Sequence, residues 1–392
     1  MGYRLGRKRL RKDLEIAYYM ARRHKKDKSY VRSFEERLSQ NLDDLADSLF
    51  NRTYVPSPSF CFIIHEPKIR EIFAAAFTDR IVHHLFFNYV QKMFDSLFIE
   101  DSYSCRYGKG THYGVRRLFG HIRKASENYT KEVFILQLDI KGYFISIDRM
   151  RLLEIVNGIL EKMCRRRIPQ SEGGYRYEDR IDFDFVRWLG GIIIMLEPSE
   201  NCIIKSPLEA WDALPDSKSL FKARKSCGLP IGNLTSQLLS NVYLNELDQY
   251  AKRILHCRHY GRYVDDLYVV DGSKERLAGI AESIRVFLKE NLHLSLNEGK
   301  TRITSSRRGV QFLGYFVKEH RVYLCNKTLR RMVRRLSSSG VSSSTINSYL
   351  GMFRHCASYR MRRKTLMTKE LMESGVFDVD CMKYKNFNQI EL

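Results

Sequence analysis

The stretch His259 to Val270, HYGRYVDDLYVV, sets two adjacent aspartates between two short β-prone runs. Aromatic and β-branched residues flank the pair on both sides, so the segment predicts a hairpin with Asp265 and Asp266 at its tip. Taken alone, an Asp-Asp pair is usually no more than a turn. A second segment changes that reading: in EVFILQLDI, Glu132 to Ile140, alternation merges into a continuous apolar run, as in a buried central strand, and Asp139 stands at its exit. Adjacent carboxylates repel, and a divalent cation relieves the repulsion. Three carboxylates at neighbouring strand ends suit a pair of magnesium ions roughly 4 Å apart, which can activate an attacking 3′-hydroxyl and stabilise a leaving pyrophosphate.

The organisation around these segments is legible in outline. Residues 1–58 read as a basic helical extension, with Leu10, Leu14 and Ala17, then Phe34, Leu38, Leu42, Leu45 and Leu49, at helical spacing before Pro56 and Pro58. FCFII and REIFA flank a turn at Glu66-Pro67-Lys68 and predict a hairpin, followed by a helix after Thr78. Asp148 is placed to cap a helix from Arg149 onward, and a further helix is expected after Pro230 and Gly232. Residues 165–226 read as an irregular, elaborated insertion. SSSGVSSS, Ser337 to Ser344, separates two basic helical stretches near the C-terminus.

Lys and Arg number 67 against 45 acidic residues, a formal charge of +22 spread along the whole chain, which favours a polyanionic partner through counterion release. The nine cysteines form no C-x-x-C pair, so neither a disulfide framework nor a zinc site is signalled, and a reducing cytoplasmic setting is expected. No run is apolar enough to predict a membrane span or a secretory h-region, so no membrane partner is expected.

In order, HEPKIREI (65–72), YSCRYGKGT (103–111), LDIKGYF (138–144), GLPIGNLTSQ (228–237), YVDD (263–266), LNEGKT (296–301) and FLGY (312–315) resemble the motif series of reverse transcriptases, from about Phe60 to the thumb near Leu366. The resemblance implies an α+β right-hand polymerase fold: fingers at 59–138, a palm with an antiparallel sheet at 139–322, and a helical thumb and tail at 323–392. It also implies an RNA-directed DNA polymerase using two Mg2+ ions, with Mn2+ as a substitute. Asp139, Asp265 and Asp266 would ligate the metal, with the Ile140 backbone as an extra ligand.

Further roles follow from the same resemblance. Lys68 and Arg70 would pair with the incoming triphosphate, where Arg offers a bidentate fork; standing alone they would read as a solvated hairpin face. Phe144, five residues after Asp139, would wall off a ribose 2′-hydroxyl and select dNTPs, although a phenylalanine is otherwise most often core. Ile231, Gly232 and Lys300 would line the nucleotide site, with Asn297 beside Lys300 in the same supporting motif, while Leu313 and Gly314 would grip the primer. Arg106 and Lys109, with Arg330, Arg331, Arg334 and Arg335 and later Arg360, Arg362, Arg363 and Lys364, would track the template and the RNA-cDNA hybrid by shape and phosphate contacts; any one of them alone is equally well a soluble surface charge.

Two departures from the broad family narrow the resemblance. Most members carry Gln-Gly in the second catalytic motif and end it with Ser-Pro, whereas here Ile231-Gly232-Asn233-Leu234-Thr235-Ser236-Gln237 looks like the reverse transcriptases of diversity-generating retroelements. Those enzymes copy a template-repeat RNA with frequent errors opposite adenine, and the cDNA diversifies a target gene. Isoleucine at 231 cannot make the polar contact that glutamine makes near the sugar and minor groove, and a site with fewer polar constraints discriminates less. Ile231, Ile145, Arg70 and Gln237 are therefore the fidelity candidates. A structured retroelement RNA and a small basic oligomeric accessory protein are the implied partners, either of which the N-terminal helices could contact. Alternatives are a retron-type or phage-defence reverse transcriptase and, from another class, an RNA-binding assembly subunit that has lost catalysis.

Overall fold

The computed structural model describes residues 3–66, 68–165, 181–336, 341–358, 375–377 and 383–386. The N-terminal region is helical, as its spacing predicts: α1 (Arg7–Arg22), α2 (Ser29–Glu35) and α3 (Leu38–Phe50). Next come the hairpin β1 (Ser59–Ile64) and β2 (Arg70–Ala74), α4 (Phe77–Asp95) and α5 (Thr111–Ala125). The middle of the chain forms β3 (Phe134–Asp139), α6 (Tyr143–Ser146), α7 (Arg149–Arg165), α8 (Phe183–Met195), β4 (Cys202–Ile204) and α9 (Leu234–Gln249). After these lie β5 (His259–Tyr263), β6 (Asp266–Asp271), α10 (Lys274–Leu292) and the short strands β7 (Arg302–Ser305), β8 (Val310–Phe312), β9 (Tyr315–Lys318) and β10 (Arg321–Leu324). Helices α11 (Asn326–Leu336) and α12 (Ser343–Phe353) follow.

The chain's contacts divide it into two compact units. The first comprises Met1–Ile99, Ile140–Tyr250 and Ile284–Asn297. In it Leu10, Leu14, Ala17 and Ala21 recur at three- and four-residue intervals and are buried, so an apolar stripe of α1 lies against α3 and α4. β1 pairs antiparallel with β2 in the expected hairpin, and on its other edge takes β4 as a parallel third strand. Asp148 caps α7 as predicted, its Oδ1 accepting from the Arg151 amide at 3.0 Å.

The expected irregular insertion contains regular structure. Asp182 accepts from the Phe185 amide at 2.9 Å and starts α8, whose Phe185, Val186, Leu189 and Ile194 are buried at helical spacing. The apolar run at 192–196 is the end of this helix, a signal masked in the sequence by the polar RRRIPQSEGG segment before it. Of the expected insertion, residues 166–180 lie outside the described residues, as do Ser337–Gly340 and the basic positions Arg360, Arg362, Arg363 and Lys364.

The second unit comprises Glu100–Asp139, Ala251–Ser283 and Glu298–Leu392. Its centre is an antiparallel four-stranded sheet in the order β5-β6-β3-β7, so β3 is an inner strand, as its apolar run demands. Helix α5 packs on this sheet and presents Val115, Leu118 and Ile122 to a core that includes Ile135, Tyr268, Val270, Phe312 and Tyr315. A second sheet, β10-β9-β8, carries the turn at Leu313-Gly314. Among the described residues every cysteine is a free thiol, and no helix is long and apolar enough to cross a membrane.

Candidate active site

β3 and β6 run antiparallel with Asp139 and Asp266 as Cα partners, so the two aspartates stand opposite each other at one end of the sheet. Tyr263 and Asp266 close the β5-β6 hairpin, leaving Val264 and Asp265 as a two-residue loop. The first central position of such a loop commonly needs glycine, because the strand twist calls for positive φ there. Here it is Val264 with φ 55°, a left-handed conformation that costs a β-branched residue about 1–2 kcal/mol. Asp139 is 7% exposed, Asp265 half-buried and Asp266 exposed, so the cluster grades from the core into solvent.

A cation already rests on this cluster. Lys300, in a single helical turn Glu298–Lys300, donates from Nζ to both oxygens of Asp139 at 2.8 Å. Partial burial works to lower its pKa, yet the bond to Asp139 and the fields of Asp139, Asp266 and Asp265 prevail, and the pKa is raised. The motif resemblance implies a triphosphate contact for Lys300; its partner in the structure is the Asp139 carboxylate. Among the described residues no three carboxylate, histidine or cysteine side chains are gathered closely enough to hold a metal ion as they stand. The donor set nevertheless fits a hard divalent cation: the aspartates offer oxygen ligands, and Asp139 already binds an ammonium.

The first unit gathers a different set. Gly142, φ 54°, begins the short turn α6, where an added Cβ would come within 3.1 Å of the Ser217 carbonyl oxygen. That turn carries Phe144 and Ile145, both half-buried. The Leu229 amide donates to the Phe144 carbonyl and the Gly228 amide to that of Ile147, each at 2.8 Å. Farther along the same loop the Ile231 carbonyl accepts from the Phe73 amide at 2.9 Å, and Asn233 Oδ1 accepts from the Ala75 amide at 3.1 Å. A Cβ on Gly232, φ 131°, would sit 3.0 Å from the Phe73 oxygen, so glycine lets the loop lie flat on β2. Phe144 and Ile231 are thereby linked through backbone bonds of this loop to the strand that begins with Arg70, with Ile145 and Gly232 next to them in the chain. Arg70 and Lys68 are exposed on that hairpin, and Gln237 is exposed on α9.

Beneath Arg70, Glu71 is 3% exposed and accepts from Trp211 Nε1 at 2.6 Å, Ser219 Oγ at 2.8 Å and the Leu220 amide at 2.5 Å. This carboxylate anchors the segment after β4 to the hairpin, a role the sequence reading missed although Glu71 lies inside a quoted motif. A glutamate alternating with apolar residues in a short strand was the available signal, since a buried carboxylate must find donors.

The basic positions differ among themselves. Arg330, Arg331, Arg334 and Arg335 are all exposed on α11, opposite the buried Thr328, Met332 and Leu336. Lys109 is engaged by Glu100, through the carbonyl at 2.5 Å and the carboxylate at 3.0 Å, and Arg106 donates to the Ser102 carbonyl at 3.1 Å. Leu313, φ 49°, and Gly314, φ 85°, form a left-handed turn whose Gly314 carbonyl accepts from the Cys325 amide and Thr328 Oγ1, both at 3.1 Å. Ile140 is buried and bridges Leu296.

Residues 193–317 match the family model described as reverse transcriptase (RNA-dependent DNA polymerase). Protein YkfC of Escherichia coli (strain K12) is 25% identical over 319 residues, covering 72% of this chain and 72% of that protein. The group II intron-encoded protein LtrA of Lactococcus lactis subsp. cremoris is 24% identical over 335 residues, covering 78% of this chain and 53% of LtrA, so the chain spans about half of that relative. Among solved structures, apo telomerase from Candida tropicalis, truncated from its C-terminal domain, aligns with a TM-score of 0.48 and 12% identity, over 73% of this chain and 60% of that one. The antiparallel sheet bearing Asp139 and Asp266, with helices around it, is of the α+β class expected for a polymerase palm.

Proposed function

We infer that this chain, an RNA-directed DNA polymerase whose residues 193–317 match the reverse transcriptase model, copies a template-repeat RNA into cDNA with errors concentrated at template adenines. The observation that carries the polymerase chemistry is the register of Asp139 against Asp266, with Asp265 in the adjoining turn. Asp139, Asp265, Asp266 and the Ile140 carbonyl would hold magnesium, which supplies charge neutralisation and acidifies the attacking hydroxyl when bound.

The chain's own residues do the rest. Lys68 and Arg70 neutralise the triphosphate from an exposed hairpin that Glu71 holds in place. Phe144 blocks a ribose 2′-hydroxyl, its backbone fixed by Leu229. Lys300 neutralises Asp139, and its ammonium would be available to a triphosphate were Asp139 engaged by a metal. The exposed arginines of α11 follow the hybrid backbone without reading sequence.

Support for the diversifying branch comes from Ile231. An apolar side chain sits on a loop pinned at its own carbonyl, so it cannot supply the polar contact that would penalise a mispair. A retroelement RNA as template and a small basic accessory protein as partner belong to the same reading. Primer extension on a defined RNA with and without Mg2+, followed by cDNA sequencing, tests it. Errors concentrated at template A support diversification, a broad spectrum favours a retron or defence enzyme, and no extension by the parent chain defeats the catalytic reading.

A further inference from the structure

Arg262 has none of the roles assigned above, yet its side chain is among the largest that are fully buried, at 0% exposure. We propose that Arg262 is a positioning residue for the catalytic hairpin: its guanidinium clamps the Val264 carbonyl and so holds a strained turn in the shape that presents Asp265 and Asp266 to a divalent cation. The proposal deepens the metal-binding role given to those aspartates and rests on it.

Arg262 is the penultimate residue of β5, two positions before Val264. Its Nη1 donates to the Val264 carbonyl at 3.1 Å, and its Nη2 to Ser102 Oγ at 3.2 Å. The main chain at the same position is fastened as well. The Arg262 amide donates to the Asp101 carbonyl at 2.9 Å, and the Arg262 carbonyl accepts from the Tyr103 amide at 3.0 Å, so residues 101–103 lie beside β5 as a parallel bridge. Residues 101–103 are themselves rigid. Asp101 is gripped by Arg117 at 2.6 and 2.9 Å, and the Tyr103 hydroxyl bonds Asp101 at 3.0 Å and the Tyr268 hydroxyl at 2.7 Å.

A cation is an expensive choice for such a place, because desolvating it costs far more than packing an apolar side chain of similar size. What it provides is a planar fork that reaches two fixed acceptors at once. One acceptor belongs to the braced segment and the other to the turn, so the guanidinium transmits the rigidity of the first to the second. The turn needs this help because Val264 occupies the glycine-favouring position at φ 55°, and relaxing that angle would swing the peptide leading into Asp265. Ligand residues are habitually oriented by such outer partners.

The test uses the full chain in four forms: parent, Arg262→Met, Val264→Gly and the double variant. Amide hydrogen exchange at residues 264–267 is measured without metal, Mn2+ binding is measured by the paramagnetic signal, and kcat and the dNTP KM by primer extension. Arg262→Met is expected to speed exchange at the turn about tenfold and weaken Mn2+ roughly 10- to 100-fold, with kcat falling and the dNTP KM little changed. In the Val264→Gly background, where the turn needs no clamp, the same substitution is expected to cost less than about threefold in Mn2+ affinity. Should the methionine variant not fold, Ser102→Ala loosens the guanidinium and is expected to move exchange and Mn2+ affinity the same way, by about threefold. Parental exchange and Mn2+ affinity in the folded variant used, or equal losses in both backgrounds, overturn the clamp. Failure of the parent to extend a primer would instead overturn the catalytic reading, and the metal-free exchange contrast would still decide the clamp.

Discussion

Lys300 Nζ lies 2.8 Å from both carboxylate oxygens of Asp139, although the two residues are 161 positions apart in the chain. The ammonium holds the position that a metal would contest. Lys300→Gln is expected to lower the half-saturating Mg2+ concentration about threefold while raising the dNTP KM about tenfold. Metal and nucleotide titrations in primer extension read both; a parallel rise in the two would show that Lys300 helps metal binding instead of competing with it.

Asp265→Asn and Asp139→Asn should each lower kcat by roughly 10³-fold or more while leaving affinity for an RNA-DNA hybrid within about threefold, since an amide no longer provides an anionic metal ligand. Gel-shift titration beside the extension assay checks the pairing of outcomes. Residual extension near the parental level would remove these carboxylates from the chemistry.

Phe144 bonds Leu229 through backbone atoms only, so truncating its ring should leave the turn in place. Phe144→Ala is therefore expected to relax rejection of ribonucleotides by about 10- to 100-fold, measured as the ratio of kcat/KM for dNTP and rNTP. Ile231→Gln is expected to reduce misincorporation opposite template adenine severalfold, because a polar partner would then be left unsatisfied by a mispair. An unchanged spectrum in sequenced cDNA would clear Ile231 of responsibility.

The pH dependence of stability has a definite sign at His121. Burial outweighs the neighbouring Asp101 carboxylate and, with Arg117 adding to it, pushes the imidazole down to about 4. The unfolded chain therefore takes up a proton that the folded state refuses. Stability is fully present above the ordinary histidine range and is lost as pH falls towards the folded value, by about 3 kcal/mol in total. Urea unfolding at pH about 7.5 and about 5 should show the loss, and His121→Gln should reduce it in part, since burial pushes His83 down to about 4 as well.

Much of the hairpin architecture was legible because it is local. YVDD between two β-prone runs, and FCFII and REIFA around a short turn, each carry their own pairing signal, and the structure forms both. Asp139 at the exit of an apolar run was equally readable, since an inner strand must be apolar on both faces. The supporting contacts were not. Glu71 meets Trp211 from 140 positions away and Arg262 meets Ser102 from 160, and no local pattern encodes a partner at that distance. Helix α8 was missed for the opposite reason: its helical spacing is local, but the polar segment before it dominated the reading.

Glu71→Ala would leave Trp211 Nε1, Ser219 Oγ and the Leu220 amide without their shared acceptor. A loss of about 3 kcal/mol or more in urea unfolding is expected, with Glu71→Gln recovering part of it. A change below about 1 kcal/mol would mean that water replaces the carboxylate at little cost.

Strand β3 is flanked on one side by β6 and on the other by β7, both of which come much later in the chain. While a ribosome is still making the segment between them, β3 has made its aspartate but has neither neighbour to lie against. Assembly of this sheet is consequently a late event in synthesis, with slow, non-local pairing as its bottleneck. Prematurely released chains that stop short of β6 would lack the pairing of Asp139 with Asp266 altogether.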